Sequence, residues 1–278
     1  MELTLATLLV ILILSIILLY KVNKKWGYST LFLCFIVFCF GFYTSTKEDR
    51  VQTIAAPEEN LSDVTFDDHD TPSLLDQKKS HLLDVPIVSQ LPELPRGCEV
   101  TSLAMLLAHA GVFIDKMELA LNIKKDLTPY EEKDGKIYFG HPNNGFVGDM
   151  YNKKNPGLGV YYKPIMELAE QYLPGRMIDL TGEEFFTIEK RVSEGFPVWV
   201  IINTRYQRLP EKEFITWQTP EGPTEITYRE HAAVITGFDA SYVYVNDPLT
   251  VEKNKQVPKD DFIKAWVQMG RQAITYTE

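Results

Sequence analysis

From Leu3 to Tyr20 the chain runs 18 positions without a charge, dominated by Leu and Ile. At 1.5 Å rise per residue such a run nearly covers a hydrocarbon core. A second uncharged stretch, Trp26 to Thr46, is densest at Leu31 to Tyr43 and carries Trp26, Tyr28, Phe42 and Tyr43 towards its ends, where interfacial anchors belong. The pattern predicts a membrane anchor over 1–46, with transmembrane helices at 3–20 and about 28–45. Lys21, Lys24 and Lys25 lie between them, and the positive-inside bias assigns that link to the cytoplasm and everything after the second span to the outside. A competing reading makes the second stretch a signal-peptide core cleaved near Ala55 and Ala56.

From 47 to 82 the periodicity disappears. Residues 46–82 hold nine acids against four bases, with scattered Pro and Ser, the composition of a solvated extracellular stalk. Structure resumes at Leu83. Asp84–Ser89 reads as an extended segment, and Val100, Leu103, Ala104 and Leu107 keep helical spacing, predicting a buried helix from Cys98 to about Ala110 with Gly111 ending it. Residues 129–160 are rich in Gly, Asn and Pro and predict a long ordered loop, with 140–159 lining a cleft as a lid. Pro164–Leu173 and Glu183–Glu194 read as helices, and Val198–Asn203 as a buried strand. After Glu225–Tyr228, the segments Ala232–Phe238 and Tyr242–Asn246 predict a hairpin around Asp239–Ser241. A last helix runs from Pro258 to Gly270, and Gln272–Thr277 alternates like an edge strand. Helices first and antiparallel strands later is an α+β order, here in one domain over 83–278.

Charge narrows the partners. The formal net charge is −10, and the segment 46–82 supplies half of it, so neither a basic nucleic-acid stripe nor a polybasic lipid patch exists. The five histidines fall into no metal-ligand spacing: there is no HExxH and no paired CxxC. No cofactor is expected. Of three cysteines, Cys34 and Cys39 lie in the second apolar span, leaving Cys98 as the lone thiol of the outward-facing domain. An idle thiol in an oxidising compartment is a liability, so Cys98 is either a nucleophile or a buried, inert small hydrophobe.

The position of Cys98 favours the first. It follows Gly97 in the first turn of the predicted helix, where unpaired N–H groups and the helix dipole should lower the thiol pKa. His231 stands just before one strand of the hairpin and Asp247 just after the other, symmetric about position 239. They should oppose each other to within about one residue of register, with Cα atoms about 4.5–5.5 Å apart. The carboxylate would then orient the imidazole. Gln90, at the end of the extended segment, is a candidate oxyanion donor beside the Cys98 N–H. Each also has a bland reading: a strand cap for His231, a turn opener for Asp247, a surface loop residue for Gln90.

The segment VPIVSQLPELPRGCEVTSLAMLLAHAG at 85–111, GFVGDMY at 145–151, GLGVYYKPI at 157–165, GFPVWVIIN at 195–203 and HAAVITGFDASYVYVNDPL at 231–249 together resemble the bacteriocin-processing, double-glycine-leader cysteine peptidase family. They are most similar to its stand-alone branch without an ABC transporter. The resemblance implies a papain-like α+β fold with a central N-terminal helix and an antiparallel sheet part. It also implies Cys98 as nucleophile, His231 as base and acid, Asp247 as orienter and Gln90 in the oxyanion hole. The reading that follows is a cell-surface cysteine peptidase acting on peptide or protein substrates. Its rivals are a hydrolase or transferase of murein peptides and a non-catalytic binding module.

Overall fold

The structure is a computed structural model and describes residues 79–278. The two expected spans and most of the expected stalk lie outside these residues. Among the described residues no helix is long and apolar enough to cross a membrane.

The centre is an antiparallel sheet. It comprises β1 (His81–Leu82), β6 (Met177–Asp179), β7 (Val198–Asn203), β10 (Glu230–Phe238), β11 (Tyr242–Asp247), β12 (Glu252–Pro258) and β13 (Ala273–Tyr276), ordered β12-β11-β10-β7-β13-β6 with β1 added to β10. His81 and Leu82 thus pair with the sheet two residues ahead of Leu83. Three helices, α1 (Cys98–His109), α2 (Lys116–Asn122) and α3 (Tyr162–Tyr172), share a core with Trp199, Ile201, Ala232, Val234 and Ile274. Two others, α4 (Phe185–Ser193) and α5 (Lys259–Gln268), share a second core with Val198, Val200, Ile202, Ala233, Ile235 and Ala273. Alternate residues of the same strands therefore face different helices. That explains why β7 is a continuous apolar run and why β10 is buried along its whole length. The antiparallel sheet and the central helix near the start of the domain are those the resemblance implies, with helices on both faces of the sheet.

The α1 helix is buried on every side from Cys98 to Leu107, as expected of a central helix. Two further differences follow from packing. Residues 273–276 form an interior strand between β7 and β6, entirely buried, where the alternation predicted an edge. After the short strand β2 (Lys125–Asp126), the long loop over 129–160 also contains short strands: β3 (Glu131–Lys133), β4 (Lys136–Tyr138) and β5 (Phe146–Val147), the last pairing with β2. Here β3 and β4 join β8 (Ile215–Thr219) and β9 (Gly222–Ile226) in a four-stranded sheet, and Phe139, Val147, Leu158, Trp217 and Ile226 form its core. β3 and β4 pair with each other across Asp134–Gly135, and β4 takes its other partner, β8, from some 80 residues away.

Candidate active site

Gly97 precedes α1 because the turn leaves no room for a side chain: a Cβ there would lie 2.6 Å from the Leu94 Cβ. Cys98 consequently opens the helix, 7% exposed. Two hydrogen bonds fix this end of α1 on the sheet. The Trp199 indole N–H of β7 donates to the Glu99 carbonyl at 3.0 Å, and the Ser102 hydroxyl donates to the Ala232 carbonyl of β10 at 3.1 Å. The thiol is thereby brought to the start of β10, where His231 lies 2% exposed.

His231 Nε2 is 3.0 Å from Asp247 Oδ1, both side chains buried. Asp247 accepts further N–H bonds from Leu249 at 2.9 Å and Thr250 at 3.3 Å, and Lys255 Nζ is 3.4 Å from its other oxygen. Burial pushes the Asp247 carboxyl up, but the His231 hydrogen bond and charge, with the Leu249 N–H, outweigh it and hold the group well below the usual carboxylate range. The ring of Tyr206 meets His231 edge-on, centroids 6.1 Å apart at 85°. The expected mirror register fails by a small amount. Phe238 pairs with Val243, which centres the turn later than 239, and a bulge between Ile235 and Gly237 shifts the ladder again to Val234↔Asn246. Continued one step, this register sets Asp247 level with Ala233, two residues from His231 along the same face. The 3.0 Å bond therefore spans a diagonal pair, within reach of an imidazole.

Gln90 is 2% exposed. Its backbone N–H donates to the Pro248 carbonyl at 3.0 Å, tying it to the turn that carries Asp247. Its Nε2 lies 3.3 Å from both the Leu94 and Pro95 carbonyls, while Oε1 is buried without a partner. Exchanging the two atoms would set an oxygen against two carbonyls, so this orientation is the favourable one. Gln90, Cys98 and His231 line one cavity of about 280 Å³, together with Arg96, Lys153, Gly157, Leu158, Tyr228 and Glu230. A cavity of about 320 Å³ near Asn143, Tyr161 and Gln272 is lined by neither cysteine nor histidine.

The expected lid is pinned. Arg96 donates to the carbonyls of Asp149, Asn152, Lys153 and Asn155 at 2.9–3.2 Å. Gly148 and Gly157 form a bridge so close that a Cβ on Gly148 would lie 2.3 Å from the Gly157 Cα. Residues 153, 157 and 158 do line the cleft, held by one guanidinium.

The thiol environment differs from the expectation of a lowered pKa. The Cys98 Sγ donates to Glu99 Oε2 at 3.2 Å, and among the described residues no hydrogen bond joins it to His231. Burial raises the Cys98 pKa well above its ordinary value, and the charges of Glu99 and Glu230 add to the rise. Desolvation and two carboxylates outweigh the helix terminus. Burial likewise pushes Glu99 up to about 7 and Glu230 well above the carboxylate range. Neither glutamate was singled out from the sequence, although each adjoins a predicted site residue: Glu99 follows Cys98 and Glu230 precedes His231. An acid next to a candidate nucleophile was the available signal.

A thiol at a helix start, a carboxylate-held imidazole and an amide beside one cleft can together perform acyl transfer through a thioester. The chain belongs to the Peptidase_C39 like family, whose model matches residues 82–274, and membership points to cysteine peptidase activity. The uncharacterised protein YvpB of Bacillus subtilis (strain 168) is 39% identical over 249 residues, covering 87% of this chain and 96% of that one. A crystallised Bacillus anthracis protein described as a C39-like peptidase is 46% identical with a TM-score of 0.67, covering 72% of this chain and 98% of that one. The double glycine motif protease of an AMS/PCAT transporter, solved with its leader peptide, reaches 17% identity and a TM-score of 0.37 over 71% of this chain and 95% of that one.

Proposed function

We propose that this chain is a membrane-anchored cysteine peptidase that hydrolyses peptide bonds at the cell surface. Cys98 is its nucleophile, His231 the base and acid, Asp247 the orienter and Gln90 the oxyanion donor. The observation carrying this reading is that Cys98, His231 and Gln90 line one cavity while Asp247 holds His231 through Nε2. With the Nε2 hydrogen directed at Asp247, Nδ1 is left to accept the thiol proton. Because the resting sulfhydryl faces Glu99, turnover begins with a χ1 rotation of Cys98 towards that nitrogen. The thiolate attacks the carbonyl carbon, and the oxyanion takes the Cys98 N–H and a Gln90 Nε2 hydrogen that exchanges one of its two 3.3 Å carbonyl contacts for it. His231 protonates the departing amine. Water, deprotonated by the same ring, then cleaves the thioester and regenerates the thiol.

The anchor over 1–46, the stalk over 47–82 and the outward orientation of the domain over 83–278 belong to this reading. They are supported by the two uncharged runs and their lysine-bearing link.

The test compares cells carrying the wild type or Cys98→Ala, with surface peptides identified by mass spectrometry, beside incubation of the purified full-length chain with protein substrates and with sacculi. Cysteine-dependent cleavage of protein substrates is expected. Cleavage confined to sacculi would transfer the site to murein peptides, and identical products from both chains would leave only a binding module.

A further inference from the structure

Glu99 and Glu230 are two buried carboxylates, 1% and 9% exposed, and among the described residues neither has an ion-pair partner. The cations and the imidazole around them are engaged elsewhere: Arg96 donates to four carbonyls, His231 to Asp247. Glu99 Oε1 accepts the Val160 N–H at 2.7 Å and Oε2 the Cys98 sulfhydryl. Glu230 Oε1 is buried with no partner at all, on a side chain that lines the Cys98 cavity. Both carboxylates converge on Gly159, where a Cβ would lie 2.1 Å from Glu99 Oε1 and 2.8 Å from Glu230 Oε2, so that only glycine leaves the space open.

One donor atom from each of Cys98, Glu99 and Glu230 lies within 4.8 Å of the others, and all three residues are buried. Buried carboxylates are stable when paired or when they hold a metal. Two ligands on one tetrahedral zinc, at bond lengths of about 2.0–2.3 Å, stand roughly 3.5 Å apart, so donor atoms within 4.8 Å of one another need close by no more than about 1.3 Å. A thiolate with two carboxylates selects a borderline-soft cation over calcium or magnesium, and the cavity leaves a fourth position for water.

We infer that Cys98, Glu99 and Glu230 form a reversible binding site for a thiophilic divalent cation of the zinc class, which caps the thiol. Binding exchanges the sulfhydryl proton, and any carboxyl proton, for the metal, and these protons leave to solvent. A capped sulfur neither attacks a carbonyl nor oxidises, which answers the hazard of a lone thiol outside the cell. The binding itself is independent of the peptidase reading, while the consequence that zinc silences the enzyme rests on it.

The full-length chain, stripped with EDTA, is titrated with Co²⁺ and then with Zn²⁺, with absorption and Cys98 alkylation as readouts so that no substrate is involved. The near-ultraviolet thiolate-to-cobalt charge-transfer band is expected, displaced by zinc. Zinc should also protect Cys98 from iodoacetamide. Glu230→Gln should weaken binding at least by the about 10–100-fold that loss of an outer-shell partner already produces, and His231→Ala should leave it within about threefold of wild type. Absence of the band and of protection in the wild type would mean that protons alone neutralise the carboxylates, and would overturn the site. Binding abolished by His231→Ala and retained by Glu230→Gln would overturn it equally, in favour of a cysteine–histidine pair. Should Glu230→Gln fail to fold, the wild-type and His231→Ala measurements still decide. Zinc binding without any peptidase activity would fail the functional reading alone.

Discussion

The hydroxyl of Ser102 donates to the carbonyl of Ala232 at 3.1 Å, joining the helix of the thiol to the strand of the imidazole across 130 residues of chain. The bond is buried and lies one residue from His231 and one helical turn from Cys98. Ser102→Ala leaves a buried carbonyl short of a donor, at a cost of about 1–3 kcal/mol. Denaturant unfolding should show the loss, with peptide turnover falling more than a surface control such as Lys163→Ala. An unchanged midpoint would mean that the apolar contacts of α1 suffice to dock it.

Asp247→Ala removes both the acceptor for His231 Nε2 and the turn contacts to Leu249 and Thr250. Turnover should fall by about 10²–10⁴, the upper figure being the loss measured when a serine-protease triad carboxylate is neutralised. Steady-state kinetics on the substrate found for the wild type gives the number, and a loss below tenfold would remove Asp247 from the catalytic group.

Cys98 should be alkylated slowly at neutral pH in metal-free protein, because burial and the charges of Glu99 and Glu230 raise its pKa. The iodoacetamide rate should keep climbing beyond the ordinary thiol range of about 8.5. Glu230→Gln deletes one of those charges, and its rate profile should move to lower pH. A wild-type profile with its midpoint near neutrality would show that the helix terminus and His231 govern the thiol instead.

Glu99 should make stability depend on pH over a defined window. Its folded pKa of about 7 lies above the ordinary glutamate value of 4.5, so the folded state holds the proton more tightly. The associated stabilisation is complete below about pH 4.5 and fades as pH rises through about 7, a loss of about 3 kcal/mol. Asp247, depressed in the fold, acts at the other end: its contribution is present above its ordinary pKa and is lost as pH falls below it. Chemical denaturation at pH 4.5 and pH 8, in EDTA, should show a wild-type decline that Glu99→Gln reduces, the remainder belonging to Glu230, which burial raises likewise.

Arg96→Ala should release the segment around 149–155, since each charge-assisted bond to a carbonyl contributes about 1.5–3 kcal/mol. Hydrogen exchange should speed up in those residues and little elsewhere. Unaltered protection there would assign the order of the loop to the Gly148–Gly157 bridge alone.

Sequence alone determined the features whose cause is local. The spacing of Val100, Leu103, Ala104 and Leu107 defines α1, the uniform apolar run defines Val198–Asn203, and turn chemistry at Asp239–Ser241 defines the hairpin. Gln90, Cys98, His231 and Asp247 could be named because each lies at the boundary of such an element and because the spacing of their motifs is itself a linear property. Tertiary structure decided the rest. The hairpin at 131–138 joins a larger sheet only because its second strand pairs with 215–219, and Ala273–Tyr276 is interior only because β6 pairs with its far side. A turn centred after position 240 rather than at 239 moved Asp247 from opposite His231 to a diagonal, and the bulge recovered one residue of that offset. The electrostatics of the thiol changed most: a helix start by itself favours the thiolate, whereas burial between two glutamates 131 positions apart favours the protonated form. Charge interactions depend on distance and dielectric, and the chain acquires both only when it folds.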